Sequence, residues 1–198
     1  MFIQEDPPKH DRQRMVVAPL FTPRNLADLE PLIRQRAAAI LDDLPRNEEF
    51  NWVRHVSVEL TGQMLATLFD VPQEDRLKLI DWSDTIQNLN DPEVFETPDE
   101  GFRKLFECLA YFQGYYEERK KQPPKFDLIS LLAHDEATKN MGPQELLGNI
   151  MLLIVGGNDT TRNSISGGVL ALNRNPDQYR KLIDDPGVIP KMVPEIIR

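Results

Sequence analysis

The residues of this chain with the clearest chemical potential form one short run, Gly156-Gly157-Asn158-Asp159-Thr160-Thr161. An acid and two hydroxyls stand beside paired glycines, and all six residues are poor choices for the interior of a helix. Glycine removes side-chain bulk, so a flat group can lie close to the backbone, where Asp159 and Thr160 could bind water and deliver protons. The alternative is close helix–helix packing at the glycines with a capped break in the helix. The residues alone do not separate these two interpretations.

The run lies at the centre of what the sequence predicts to be the longest helix. This helix begins at Gly142-Pro143, because proline suits the first helical position, and it ends before Pro176. Apolar residues recur at helical spacing on both sides of the run. The glycines and polar residues between them predict a local opening or kink, and such a local inconsistency often marks function.

Helical periodicity continues along the chain and strand signals are nearly absent, which predicts an all-α fold with a single domain over residues 1–198. A loop rich in Asn, Asp and Pro is predicted from Asn88 to Glu100. Besides the long helix and one near the start, the predicted helices are Asn25 to Leu44, Phe50 to Phe69, Val71 to Asn88, Gly101 to Lys121, Phe126 to His134, Pro176 to Ile183 and one that begins near Pro190.

Composition and charge exclude several classes of protein. The formal net charge of −9 argues against a nucleic-acid partner, because phosphate binding needs a basic surface. No apolar run approaches the roughly 20 residues that span a bilayer, so we expect a cytoplasmic protein without a transmembrane segment. The single cysteine, Cys108, excludes an internal disulfide and is expected to be a buried small hydrophobe. His55 and His134 lack partners at ligand spacing, so we predict no metal site within the chain.

Four stretches together resemble the cytochrome P450 monooxygenases. The run from Gly156 to Thr161 is similar to the oxygen-activation motif of that family's long distal helix. His10-Asp11-Arg12-Gln13-Arg14 resembles the His-x-x-x-Arg of the helix that binds haem propionates, and Phe21-Thr22-Pro23 resembles the segment that ends it. Glu195-Ile196-Ile197-Arg198 resembles the Glu-x-x-Arg of the helix behind the haem. Each pattern is weak alone, but all four occur in the family's order along the chain.

The resemblance implies that haem b is the cofactor. His10 and Arg14 would hold its propionates, which suits residues four apart on one helix face and a guanidinium that binds carboxylates bidentately. Gly156 and Gly157 would leave room for O₂ above the porphyrin. The proximal ligand of the family is a cysteine downstream of the Glu-x-x-Arg helix, whereas Cys108 lies upstream.

Further roles follow from the same resemblance. Asp159 and Thr160 would deliver protons during oxygen activation, and Glu195 with Arg198 would form a structural pair that is buried in the family and completed by a downstream residue. We therefore expect an internal fragment of a P450 catalytic domain, without its N-terminal sheet region and C-terminal haem-thiolate loop, and inactive by itself.

A narrower similarity is to the bacterial medium-chain alkane hydroxylase branch. It is carried by Gly156 to Ser164, by Met1-Phe2-Ile3 with Asp6-Pro7-Pro8, and by Val193 to Arg198. It implies hydroxylation of the terminal carbon of medium-chain alkanes with O₂ and electrons from a ferredoxin and its reductase. The alternatives are a P450 for another hydrophobic substrate, such as a terpenoid or fatty acid, and a non-catalytic all-α interaction module.

Overall fold

The computed structural model describes residues 1–198, apart from the surroundings of the Pro98 side chain. The residues it describes form nine α-helices and no strand, which confirms the predicted all-α fold. None of these helices combines the length and apolar character needed to cross a bilayer. The helices are α1 (Lys9–Val17), α2 (Pro23–Asp42), α3 (Glu59–Phe69), α4 (Arg76–Gln87), α5 (Pro98–Arg119), α6 (Leu128–His134), α7 (Pro143–Arg174), α8 (Pro176–Asp184) and α9 (Ile189–Ile197).

The core surrounds the first half of α7, where α3, α4 and α5 contact it. Cys108 of α5 is fully buried there, with its Sγ 3.7 Å from the Sδ of Met151, and burial raises the pKa of its thiol to about 12. It is therefore the buried small hydrophobe that the sequence predicted. The largest fully buried apolar side chains of this core are Leu65, Phe69, Leu79, Phe112, Tyr116, Leu128, Ile129, Leu132, Ile150, Met151 and Ile154.

The predicted opening at the glycine run is absent, because α7 is α-helical throughout Pro143–Arg174. Two polar side chains of the run, Asn158 and Thr160, have hydrogen-bond partners that leave the helix intact. Thr160 Oγ1 donates to the carbonyl oxygen of Gly156 one turn back, at 3.0 Å, and Thr61 Oγ1 of α3 donates to Asn158 Oδ1 at 3.0 Å. Tertiary contacts have thus outweighed the weak local propensity for a break.

The paired glycines of α7 face different surroundings. A Cβ added at Gly157 would lie 2.8 Å from Cδ2 of Leu65, so this glycine allows α3 to approach the helix backbone. A Cβ added at Gly156 would meet no atom within 4 Å. Close packing therefore accounts for Gly157, while Gly156 borders open space.

Helix α1 is attached to the first turns of α7 by a network of side-chain amides. Asn149 of α7 is fully buried; its Nδ2 donates to Gln13 Oε1 at 3.1 Å, and its Oδ1 accepts from the backbone nitrogen of Phe2 at 2.8 Å. Gln13 Nε2 donates to Glu145 Oε1 at 2.7 Å, and that carboxylate also pairs with Lys9 Nζ at 2.8 Å. Leaving the buried amide of Asn149 or Gln13 unpaired would cost about 1–3 kcal/mol, so these two side chains specify where α1 docks.

We predict opposite effects for alanine at the two neighbouring glycines. Gly156→Ala should raise the free energy of unfolding by about 0.5–1 kcal/mol, because alanine favours the helix and nothing obstructs its Cβ. Gly157→Ala should lower the free energy of unfolding by roughly 1 kcal/mol, since the clash with Leu65 outweighs the same gain. Urea unfolding followed by circular dichroism measures both variants. Equal stabilisation by the two would contradict this assignment.

We also predict that Glu145 stabilises the protein in a pH-dependent way. The hydrogen bond from Lys9, supported by that from Gln13, holds the pKa of Glu145 below its usual value of 4.5. A lowered folded-state pKa gives stability that is complete above pH 4.5 and is lost as the pH falls through the folded-state value. The advantage in unfolding free energy of wild type over Glu145→Gln should therefore be present at neutral pH and shrink on acidification. An advantage that does not change with pH would show that the carboxylate charge has no part in docking α1.

Candidate functional site

The candidate site is one bare face of α7. Positions 149, 156, 160, 163 and 167 fall within about 60° of one another around a helix with 3.6 residues per turn. Asn149 is buried on this face, whereas Gly156, Thr160, Asn163 and Gly167 are exposed. A Cβ added at either of these glycines meets nothing within 4 Å. From Gly156 to Gly167 the bare stretch is about 16 Å long.

Thr160 supplies the hydroxyl at the middle of this face. Its single hydroxyl hydrogen is directed to the carbonyl oxygen of Gly156, and the residue is exposed. The hydroxyl oxygen keeps capacity to accept a hydrogen bond, and its hydrogen can turn to another acceptor. Thr160 can therefore act as both donor and acceptor towards a group on the bare face.

Asp159 is the neighbouring acid, and it is held in an ion pair. Its Oδ1 accepts from Arg162 Nη2 at 2.8 Å, and its side chain is 23% exposed. Arg162 Nη1 also donates to Asp84 Oδ1 of α4 at 2.9 Å. The acid that the sequence predicted as a proton carrier thus lies beside the bare face and is bound to a cation.

His10 and Arg14 lie one turn apart on α1. The Nδ1 of His10 is 2.9 Å from Oδ1 of Asp11, and its ring centroid is 6.3 Å from that of Phe2. Arg14 is exposed and has no ion pair within the part of the chain that the structure describes. Its guanidinium is therefore available to bind an anion.

Helix α1 contacts, through the Gln13 side chain, the same face of α7 that is bare further along. Gln13 of α1 contacts Asn149, and Asn149 precedes Gly156 by seven residues, or two turns. Seven residues return to the same side of the helix after about 10 Å of axial rise. The structure thus places α1, which carries His10 and Arg14, on the side of α7 that also presents Thr160.

Glu195 and Arg198 form an ion pair on α9, but the pair is exposed, with 65% and 77% of the two side chains accessible. The resemblance implied a buried pair. In this structure α9 meets α7 instead through Ile196, whose Cδ1 lies 2.9 Å from a Cβ added at Gly168. A surface pair of this kind contributes about 0–1 kcal/mol to stability.

The remaining histidines have local partners. The ring centroid of exposed His55 is 5.9 Å from that of Phe50, and the ring nitrogens of His134 lie 2.8 and 3.0 Å from the carbonyl oxygens of Ser130 and Gln122. The described part of the chain holds no group of three or more His, Cys, Asp or Glu side chains arranged to bind a metal ion.

Two positioning features were missed from the sequence. Asn149 interrupts the apolar stripe of α7, and a buried amide in such a stripe signals a specific partner, although nothing in the pattern identified that partner as Gln13. Arg162 stands three residues after Asp159, a spacing that predicts an ion pair on a helix. Its second partner, Asp84, is 78 residues away in the chain and could not be found from local spacing.

The family model for Cytochrome P450 matches residues 1–186. Linalool 8-monooxygenase of Pseudomonas putida is 33% identical over 198 residues, which cover 100% of this chain and 48% of that protein.

Two solved structures match the chain with a TM-score of 0.90. Cytochrome P450-153 from Novosphingobium aromaticivorans is 46% identical, with 100% of this chain and 47% of that chain covered. CYP153D17 from Sphingomonas sp. PAMC 26605 is 48% identical, with 100% and 49% covered. The chain spans about half the length of these relatives. Since the family model covers nearly all of its residues, this chain belongs to the cytochrome P450 family.

Proposed function

We propose that the chain is part of a haem-dependent monooxygenase that hydroxylates unactivated C–H bonds. One observation carries the proposal: the unbroken helix α7 leaves a face without side-chain cover at Gly156 and presents an exposed hydroxyl at Thr160. A helix that serves only to pack against its neighbours has no need for such a face, because helices are ordinarily covered with side chains on all sides. A flat group that lies against the helix backbone does need a face without side chains.

Haem b is the cofactor of the family, and the residues present fit it. Side chains at Gly156 and Gly167 would fill the space that a flat group requires. Arg14, with His10 one turn before it, suits the acidic side chains of a haem. Cys108 is fully buried in the core and does not fit as an iron ligand.

When bound, the haem would supply the activation of O₂ and the oxidation of the C–H bond. The chain's own residues would place protons beside it. The Thr160 hydroxyl would turn from the Gly156 carbonyl towards the bare face, a change that costs about 1 kcal/mol. Asp159 would take up a proton from solvent, pass it towards Thr160 and return to its carboxylate form. Water excluded from a covered site cannot perform this transfer freely, so positioned groups are required.

For the substrate, we propose the terminal carbon of a medium-chain alkane. The support is the set of stretches similar to the alkane hydroxylase branch, together with 46% and 48% identity to two structures that share the P450-153 designation. A terpenoid is the second candidate, because linalool 8-monooxygenase is 33% identical over the whole chain. Product analysis of the full-length enzyme with octane and with linalool would separate the two.

For the partners, we propose O₂, a ferredoxin and a ferredoxin reductase, in the cytoplasm. Lys9 and Arg12 are basic residues on α1 beside His10, and opposite charge could steer an acidic ferredoxin to them. Lys9 is engaged within the chain by Glu5 at 3.0 Å and Glu145 at 2.8 Å, so Arg12 is the better candidate. The contrasting hypothesis, a non-catalytic interaction module, requires that the full-length protein take up no haem, which a carbon monoxide difference spectrum would reveal.

We predict that Thr160→Ala uncouples the full-length enzyme. NADH consumption and peroxide release should continue, while the product formed per NADH should fall by about tenfold or more, because proton delivery is lost and electron supply is not.

Thr161→Ala is the matched control, since it removes the same atoms from the next residue, about 100° around the helix and away from the bare face. Unchanged coupling in Thr160→Ala, or equal uncoupling in both variants, would remove Thr160 from the proposed role.

A further inference from the structure

Arg162 of α7 joins two carboxylates that belong to different helices. Its Nη2 donates to Asp159 Oδ1 at 2.8 Å, and its Nη1 donates to Asp84 Oδ1 of α4 at 2.9 Å. The Arg162 side chain is only 16% exposed, whereas that of Asp84 is 45% exposed. One guanidinium therefore connects the acid beside the bare face to the outer surface of a neighbouring helix.

The two acids share a single positive charge. Neither Asp159 nor Asp84 has another ion pair within the described part of the chain. A planar guanidinium presents separate nitrogens in fixed directions, so it can bond both carboxylates at once. Each carboxylate then accepts fewer hydrogen bonds from Arg162 than it could if the other carboxylate were absent. Burial opposes the charge on Arg162, yet its bonds to Asp84 and Asp159 raise its pKa overall, so it stays a cation.

The position of Asp84 makes this sharing sensitive to the placement of α4. Asp84 lies in the last turn of α4, immediately before the segment that leads to α5. Asp159 directly precedes Thr160 and is joined to Asp84 of α4 through Arg162. A shift of the end of α4 would therefore move Asp84 relative to Arg162. The strength of the bond between Arg162 and Asp159 would change as a result.

We propose that Arg162 is a positioning residue that ties Asp159 to α4, so that the placement of α4 sets how tightly the Asp159 carboxylate is held. The inference rests on the proposed function, in which Asp159 carries protons. With α4 placed as here, Arg162 bonds to Asp84 as well as to Asp159, so it holds the Asp159 carboxylate less firmly than it would without Asp84. When Asp84 is displaced or removed, Arg162 binds Asp159 alone and restrains it.

The test uses the full-length enzyme with Asp84→Asn, which keeps the shape of the side chain and removes its charge. Asp81→Asn is the matched control: Asp81 lies on the same helix one turn earlier and pairs with Lys104 of α5 at 2.6 Å, not with α7. We expect Asp84→Asn to lower turnover and to increase its solvent isotope effect in D₂O, with the substrate KM unchanged. Asp81→Asn should leave the solvent isotope effect as in wild type.

Amide hydrogen exchange gives a readout that does not depend on activity. Asp84→Asn and Arg162→Gln should each speed exchange in the last turn of α4 by about two- to fivefold, the range expected for one partly exposed ion pair. The double variant should exchange no faster than either single variant, because the two substitutions break the same bond.

Two results would overturn the inference alone: an unchanged solvent isotope effect in Asp84→Asn while Thr160→Ala still uncouples the enzyme, or additive exchange effects in the double variant. If Thr160→Ala fails to uncouple the enzyme, the proposed function falls and this inference falls with it. The two failures are thus distinguishable.

Discussion

The contact between α7 and α3 determines which face of the long helix remains bare. Gly157 lets Leu65 approach the helix backbone, and the fully buried Asn158 is bonded to Thr61 of α3. These contacts fix the rotation of α7 about its own axis. Since residues two apart lie about 200° apart around a helix, burying Asn158 turns Thr160 to the opposite side. A packing requirement on one face therefore creates the open surface on the other.

A second constraint holds α1 against the same side of α7, about 10 Å before Gly156, and it is polar rather than apolar. Asn149 lies fully buried between α1 and the first turns of α7, and it is satisfied by Gln13 and by the backbone of Phe2. Apolar contacts tolerate sliding, whereas a buried amide accepts few positions because any shift leaves a polar atom unpaired. Hydrogen bonding thus fixes the place of the helix that carries His10 and Arg14.

The sequence predicted the helices, because apolar periodicity and proline positions are local signals. The assignment of the site to Gly156 and Thr160 stays a prediction. The sequence did not reveal how α7 stays helical through Gly156 and Gly157, nor that Gly156, and not Gly157, borders open space. Those outcomes depend on Thr61, which lies 97 residues from its partner, and on Leu65 of the same helix. The exposure of the Glu195–Arg198 pair likewise depends on what α9 contacts, and a four-residue pattern carries no such information.

We propose that the bare face at Gly156 adjoins the haem. The most direct test is carbon monoxide binding to the reduced full-length protein carrying Gly156→Leu. A leucine there meets no protein atom near its Cβ, so the fold should be retained, as judged by circular dichroism and unfolding. We expect carbon monoxide affinity to fall by about tenfold or more, because the new side chain would occupy space beside the iron. A folded variant that binds carbon monoxide as tightly as wild type would show that this face does not adjoin the haem.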